Sequence, residues 1–143
     1  MKTLVVLFIL FVGYSPFNNN LDESNGFENF KFGSSQANYK NLTVEIDEGN
    51  IKLFSVAPEE IKIQGIEFEN VRLTFIKNKL SAIALTTKNS TGKAFLDLLK
   101  SKYGIPKTFK QNYEWSGKKV LLIYESYDTG TDAVINFYST NEK

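Results

Sequence analysis

The side chains that could do chemistry in this sequence are carboxylates, lysines and tyrosines, because its 143 residues include neither histidine nor cysteine. The absence of histidine excludes imidazole acid/base catalysis, Ser–His nucleophiles and imidazole-bound zinc. Carboxylate pairs such as Asp47-Glu48 and Glu59-Glu60 are adjacent in sequence. Neighbouring residues of a strand point to opposite faces of the sheet, so neither pair indicates an acid/base site. We therefore expect no enzyme, no metal and no cofactor, and keep a small hydrolase that uses carboxylates or tyrosine as the alternative.

The tripeptide Asp128-Thr129-Gly130 matches the sequence that carries the catalytic carboxylate in viral, dimeric aspartic proteases. In those proteases a flap and a second half of the core follow the catalytic aspartate, whereas only 13 residues follow Gly130 in this chain. Asp, Thr and Gly are also common turn residues, and a motif outside its structural context does not identify an active site. We predict that Asp128 lies in a turn between two strands and has a structural role.

The residues Thr91-Gly92-Lys93 resemble the end of a phosphate-binding loop, but Thr87 and Ala94 stand where that loop needs a glycine and a magnesium-binding hydroxyl. The residues that follow have helical spacing. The apolar side chains on one face of this helix are Phe95, Leu98, Leu99 and Tyr103. The hydroxyl residues before Gly92 can cap its start, and Gly104 can end it. This segment is therefore predicted to be a helix N-terminus.

Residues 1–18 have the features of a secretory signal peptide. An apolar run from Leu4 to Val12 is followed by Gly13 and Ser15, at a spacing that a signal peptidase accepts. Spanning a bilayer takes about 20 apolar residues, and this run is shorter. Without cysteine, the exported chain can carry neither a lipid-modified cysteine nor a disulfide. We expect a periplasmic or secreted protein with no stable membrane anchor after cleavage, and an uncleaved anchor or a buried strand as the alternatives.

Charge and composition limit the possible partners and the number of domains. Loss of the leader removes Lys2 and leaves 16 basic and 16 acidic residues. Nucleic-acid binding draws on a surplus of Lys and Arg, so we expect no nucleic-acid partner. Residues 19–26 are polar and turn-rich, which predicts a flexible lead-in. Residues 27–140 are enough for one hydrophobic core, so we expect a single α+β domain there.

The fold class follows from the spacing of apolar residues. Between Ile51 and Lys88 that spacing is near two, with a turn at Lys77-Asn78-Lys79, which predicts an antiparallel meander. A short helix is predicted over residues 33–42, and strands joined by the turn at Ser116-Gly117 follow the second helix. We expect an α+β fold: an antiparallel sheet of about five to seven strands, with two helices packed on one face and two loosely similar halves.

Four segments together carry a resemblance to known proteins: GFENFKFG before a short helix, ENVRLTFIKNKLSAIAL as a hairpin, LLKSKYGIPK closing a helix, and YEWSGKKVLLIYES as the next hairpin. They resemble small exported bacterial proteins, similar to beta-lactamase inhibitor proteins and the small lipoprotein of the outer-membrane barrel-assembly machinery. The resemblance covers roughly residues 26 to 139 and implies helices on an antiparallel sheet. This chain lacks the lipoprotein's cysteine and the inhibitors' disulfides, so no functional residue is transferred.

A small sheet protein without His or Cys has surface available for binding and few side chains suited to catalysis. This favours a non-enzymatic exported binding or assembly module of the bacterial envelope, whose partner is an envelope or secreted protein. The strand from Val120 to Tyr124 is apolar on both faces, so either the chain itself or a partner must cover the second face. Should a partner cover it, the candidate binding residues are the aromatic side chains near that face: Tyr113, Trp115, Tyr124 and Tyr138.

Overall fold

The computed structural model describes residues 17–127 and 130–140. The predicted signal peptide lies almost wholly outside the described residues, as do Asp128 and Thr129 of the Asp-Thr-Gly tripeptide. Within the described residues the chain forms two α-helices, α1 (Asn19–Ser24) and α2 (Gly92–Tyr103), and two single 3₁₀ turns, Gln36–Asn38 and Pro58–Glu60. The strands are β1 (Gly26–Phe27), β2 (Phe30–Lys31), β3 (Thr43–Asp47), β4 (Ile51–Val56), β5 (Glu67–Ile76), β6 (Lys79–Lys88), β7 (Lys107–Phe109), β8 (Asn112–Ser116), β9 (Val120–Ser126) and β10 (Ala133–Ser139).

Eight of the strands form one sheet in the order β3-β4-β5-β6-β10-β9-β8-β7, and β1 and β2 form a separate hairpin. Every neighbouring pair in the main sheet is antiparallel. The predicted α+β class with an antiparallel sheet is therefore confirmed. The predicted number of about five to seven strands is too low, because β7 has only three residues, all exposed, and β3 lies before the range 51–88 in which the spacing of two was recognised.

The strands follow one another as two four-stranded meanders, β3 to β6 and β7 to β10, which meet where β6 pairs with β10. The turn between β5 and β6 is at Lys77 and Asn78, as predicted, and both residues have positive φ, at 51° and 61°. Two left-handed residues give the tight hairpin turn that matches strand twist. By contrast, Ile61 and Ile63, which fall in the range 51–88 predicted to form the meander, lie in the loop between β4 and β5.

One face of the main sheet, called here the inner face, carries the core. Its buried residues on the central strands are Val71, Leu73, Phe75, Ile83, Leu85, Leu122, Tyr124, Ile135 and Phe137. The residues of α2 that are buried against this face are Phe95, Leu96, Leu99 and Tyr103. Phe27 of β1 joins them, since its ring centroid lies 5.4 to 6.3 Å from those of Phe68, Phe95 and Phe137. The two helices and the β1–β2 hairpin thus belong to one continuous core.

The predicted helix after Thr91 is confirmed. It spans Gly92–Tyr103, and Gly104, at φ 82°, ends it. Thr91 is the N-cap residue, but the predicted hydroxyl cap does not form, because the Thr91 hydroxyl donates to the Lys88 carbonyl oxygen at 2.7 Å and makes no capping hydrogen bond. Gly92 has no room for a side chain, because a Cβ there would lie 2.8 Å from the Cα of Asp132. The glycine in Thr91-Gly92-Lys93 therefore serves close packing between the helix start and the loop before β10.

The prediction of a flexible lead-in over residues 19–26 is corrected by helix α1. The Asn18 side chain caps it, accepting a hydrogen bond from the Leu21 amide at 3.1 Å, and donates another to the Tyr103 carbonyl oxygen at 2.6 Å. Leu21 is fully buried. One apolar residue in a polar stretch has no periodicity to detect, so the contacts with α2 determine this helix and the sequence pattern could not.

The helix predicted over residues 33–42 is also wrong, since only the 3₁₀ turn Gln36–Asn38 forms there. Tyr39 has extended backbone angles, and its ring packs 6.2 Å from that of Phe75. Asn41 has a φ of 60°, which a right-handed helix does not allow. The helix does not form because packing of Tyr39 against the core stabilises the chain more than the few hydrogen bonds of one further helical turn would.

Candidate binding surface

The four aromatic candidates lie on different faces of the sheet. Tyr113 is opposite Tyr124 across β8 and β9, and Trp115 is opposite Leu122, which places these side chains on the inner face. Trp115 and Tyr124 are buried and Tyr113 is half-buried. Tyr138 alone of the four lies on the opposite face and is 39% exposed. The four therefore do not form one accessible patch.

The three inner-face aromatic residues have structural partners. The Trp115 Nε1 donates a hydrogen bond to the Gly104 carbonyl oxygen at 2.9 Å, which ties the end of α2 to the sheet. The Tyr113 and Tyr124 rings meet edge to face at 5.8 Å. The Lys100 ammonium lies 5.0 Å from the centre of the Tyr113 ring. These contacts explain why the three side chains lie buried or half-buried on the inner face, which the alternation of residues along a strand could not show.

Burial raises the pKa of the Tyr124 hydroxyl to about 12, with smaller contributions from Tyr113, Asp132 and Asp97. A phenol with this pKa stays protonated at neutral pH. Tyr124 is thus unsuited to act as a general base, which works best when its pKa is near the operating pH.

Two carboxylates, those of Asp22 and Asp132, accept hydrogen bonds from backbone amides. Asp22 of α1 accepts hydrogen bonds from the three successive amides of residues 118–120, at 2.7, 2.7 and 3.1 Å. Asp132 accepts from the Ser90 and Thr91 amides at 3.1 and 3.2 Å, where α2 begins. Within the described residues, no three or more acidic side chains come together as a group that could hold a metal ion. Both carboxylates therefore stabilise turns.

The second face of the sheet, called here the outer face, has side chains from the same central strands. Those at its centre are Ala82, Ala84, Thr86, Leu121, Ile123, Val134, Asn136 and Tyr138. All of them keep some solvent exposure, although β6, β10 and β9 are interior strands of the sheet. Among the described residues, the helices and the β1–β2 hairpin pack on the inner face, so these side chains are covered only by their neighbours in the sheet.

Charged residues surround this apolar centre. Arg72 of β5 pairs with Glu45 of β3 at 3.1 Å, and Glu114 and Glu125 lie on the other side, on β8 and β9. An antiparallel sheet with one solvated face usually presents alternating polar side chains there. Leu121, Ile123 and Val134 depart from that rule. The double-sided apolar pattern of β9 indicated this surface from the sequence, whereas the contribution of Val134 and the small residues of β6 required the strand order.

Comparisons with protein-family models, with curated proteins and with solved structures gave no match to this chain. In the described part of the chain, none of the helices has the length and apolar character needed to cross a membrane.

Proposed function

We propose that the protein is a non-enzymatic binding or assembly module of the bacterial envelope, exported to the periplasm or the medium, and that the outer face of its sheet binds a partner protein. The observation that carries this proposal is the apolar centre of the outer face, which no helix among the described residues covers. A folded envelope or secreted protein with a complementary surface is the partner that this face suits.

The outer face combines the features of a protein-binding surface. Leu121, Ile123 and Val134 supply apolar area. Tyr138, which is paired with Leu121 across β10 and β9, supplies an aromatic anchor. Interface centres are depleted of charge and enriched in aromatic residues, with polar groups at the rim. Asn136 lies between the apolar side chains and can form a hydrogen bond that fixes the orientation of the partner. Carboxylate- or tyrosine-based hydrolysis has no comparable support, since Asp22, Asp132 and Tyr124 all serve structural contacts.

Export is supported by the apolar N-terminal run, and the contacts of Asn18 limit where the leader can be cleaved. Its backbone amide donates to the Ser116 carbonyl oxygen at 2.9 Å, besides the two side-chain hydrogen bonds to Leu21 and Tyr103. Cleavage after Asn18 would remove the cap of α1. We therefore place the cleavage before Asn18, one or more residues earlier than the boundary expected from the sequence.

The proposal is tested by capture of partners from envelope extract, with the protein isolated from expressing cells as bait. Ile123→Lys places a charge at the centre of the outer face, where the long side chain can reach solvent without unfolding the sheet. Leu98→Lys makes the same kind of change at a half-buried position on the helical side. Wild type and Leu98→Lys should retain one specific partner and Ile123→Lys should lose it. Equal capture by all three, or no specific capture by wild type, would contradict the proposal.

A further inference from the structure

The two edges of the main sheet have opposite charge. Residues 41–49, which contain β3, include three carboxylates and no Lys or Arg. Residues 105–111, which contain β7, include Lys107 and Lys110 and no carboxylate. Among the described residues, each edge strand pairs on one side only, β3 with β4 and β7 with β8. Each edge therefore presents unpaired backbone groups together with charge of one sign.

Large apolar side chains are exposed beside both edges. On the acidic edge Val44 is 55% and Ile46 is 45% exposed. On the basic edge Ile105 is 98% and Phe109 is 69% exposed. Soluble proteins usually protect sheet edges with charged or polar residues, and apolar side chains at both edges favour association.

The charges at these edges are available to a second molecule. Glu45 pairs with Arg72 at 3.1 Å and Asp47 with Lys52 at 3.9 Å, but both pairs are solvent-exposed, and such pairs are weak enough for another cation to compete. In the described part of the chain, no carboxylate oxygen lies within 4.0 Å of the ammonium groups on the basic edge. The acidic edge can thus gain from a basic partner, and the basic edge from an acidic one.

The topology makes the two edges compatible. The main sheet has eight strands and all seven pairings are antiparallel, so β3 and β7 run in opposite directions. A second copy shifted sideways without being turned over would set its β3 antiparallel to β7 of the first. The inner faces of both copies then lie on the same side, and the sheet continues from one molecule to the next.

We propose that copies of this protein associate through their sheet edges, β3 of one molecule pairing with β7 of another. Pairing of β3 with β3, or of β7 with β7, would bring like charges together, which is destabilising. The favoured contact joins two different surfaces and leaves a free edge of each kind, so it adds molecules into an open chain and does not stop at a dimer.

The contact is short. β7 has three residues, Pro106 before it has no N–H to donate, and β3 is irregular between Val44 and Ile46. Only a few backbone hydrogen bonds can form, so the association should be weak, dependent on concentration and weakened by salt, which screens exposed charges.

Sedimentation measurements on the protein isolated from expressing cells test this proposal, with charge reversal at each edge. One variant carries Glu45→Lys and Asp47→Lys, and the other carries Lys107→Glu and Lys110→Glu. Within each variant the two edges then have the same sign, and in a mixture of the two every contact between unlike variants is again of opposite sign. A control with two reversals away from the edges, Lys93→Glu and Lys119→Glu, keeps both edges intact.

The average mass of wild type should rise with concentration and pass twice the monomer mass, the ceiling of a closed dimer. Each edge variant should sediment as a monomer, an equimolar mixture should recover the wild-type mass, and the control should match wild type. Circular dichroism verifies the fold of each variant. The proposal is overturned by a wild type that stays monomeric up to millimolar concentration, by a plateau at the dimer, or by folded edge variants that associate alone or fail to associate when mixed.

Discussion

The inner and outer faces of the sheet differ in what covers them, although β9 supplies apolar side chains to both. Val120, Leu122 and Tyr124 are buried beneath α2 and its neighbours, whereas Leu121 and Ile123 on the same strand stay half-exposed. An apolar residue in a central strand is therefore not always a core residue. Its contribution to stability depends on whether a second layer lies over it, and without that layer the residue is free to contribute to binding.

Truncation of two neighbouring residues on β9 should affect stability very differently on the two faces. Leu122→Ala should lower the free energy of unfolding by about 2–5 kcal/mol, because it leaves a cavity in the core. Leu121→Ala should cost about 1 kcal/mol or less, because that side chain already contacts water. Urea unfolding of both variants measures the difference. Equal losses would mean that the outer face is as well covered in solution as the inner face.

A smaller effect tests how α1 supports the inner face. Asp22→Ala should cost about 1–3 kcal/mol, since it leaves the three amides of residues 118–120 without their acceptor. Gly117→Ala should destabilise in the same direction, because a methyl group there would overlap the Asp22 carboxylate. Glu23→Ala, an exposed position on the same helix, is the matched control. Thermal unfolding measures the stability of each variant. An Asp22→Ala variant that is no less stable than Glu23→Ala would show that the hydrogen bonds from the Asp22 carboxylate to residues 118–120 contribute nothing.

The smallest effect is a pH dependence from the buried phenol of the inner face. The pKa of Tyr124 is raised from 10.0 to about 12, first by burial and second by Tyr113. Between these pH values the unfolded chain has lost the phenolic proton that the folded chain keeps, so rising pH favours unfolding. This stabilisation is complete below pH 10 and is lost toward pH 12. The Tm of wild type should fall more steeply across this range than that of Tyr124→Phe, and parallel curves would contradict the assignment.

Part of the candidate site could be predicted from the sequence. The apolar run of β9 indicated a strand with two apolar faces, and its residues 121 and 123 are at the centre of the proposed surface. The four aromatic candidates could not be assigned to a face of the sheet, because the face on which each side chain lies depends on the register of β8 and β10 against β9. That register pairs Trp115 with Leu122 on the inner face and Tyr138 with Leu121 on the outer face.

Elements with their own local signals could be predicted from the sequence. The β5–β6 hairpin has a period of two and a left-handed turn at Asn78, and α2 has a helical apolar face and a terminating Gly104; in both, the pattern and the turn residues act over a few positions. The conformations of residues 19–26 and 33–42 depend instead on tertiary contacts. Leu21 and Tyr39 each gain from burial against distant residues, and such contacts outweigh the weak local preference of a short polar segment. The same holds for the outer face, because whether a second layer covers it depends on where every other element packs.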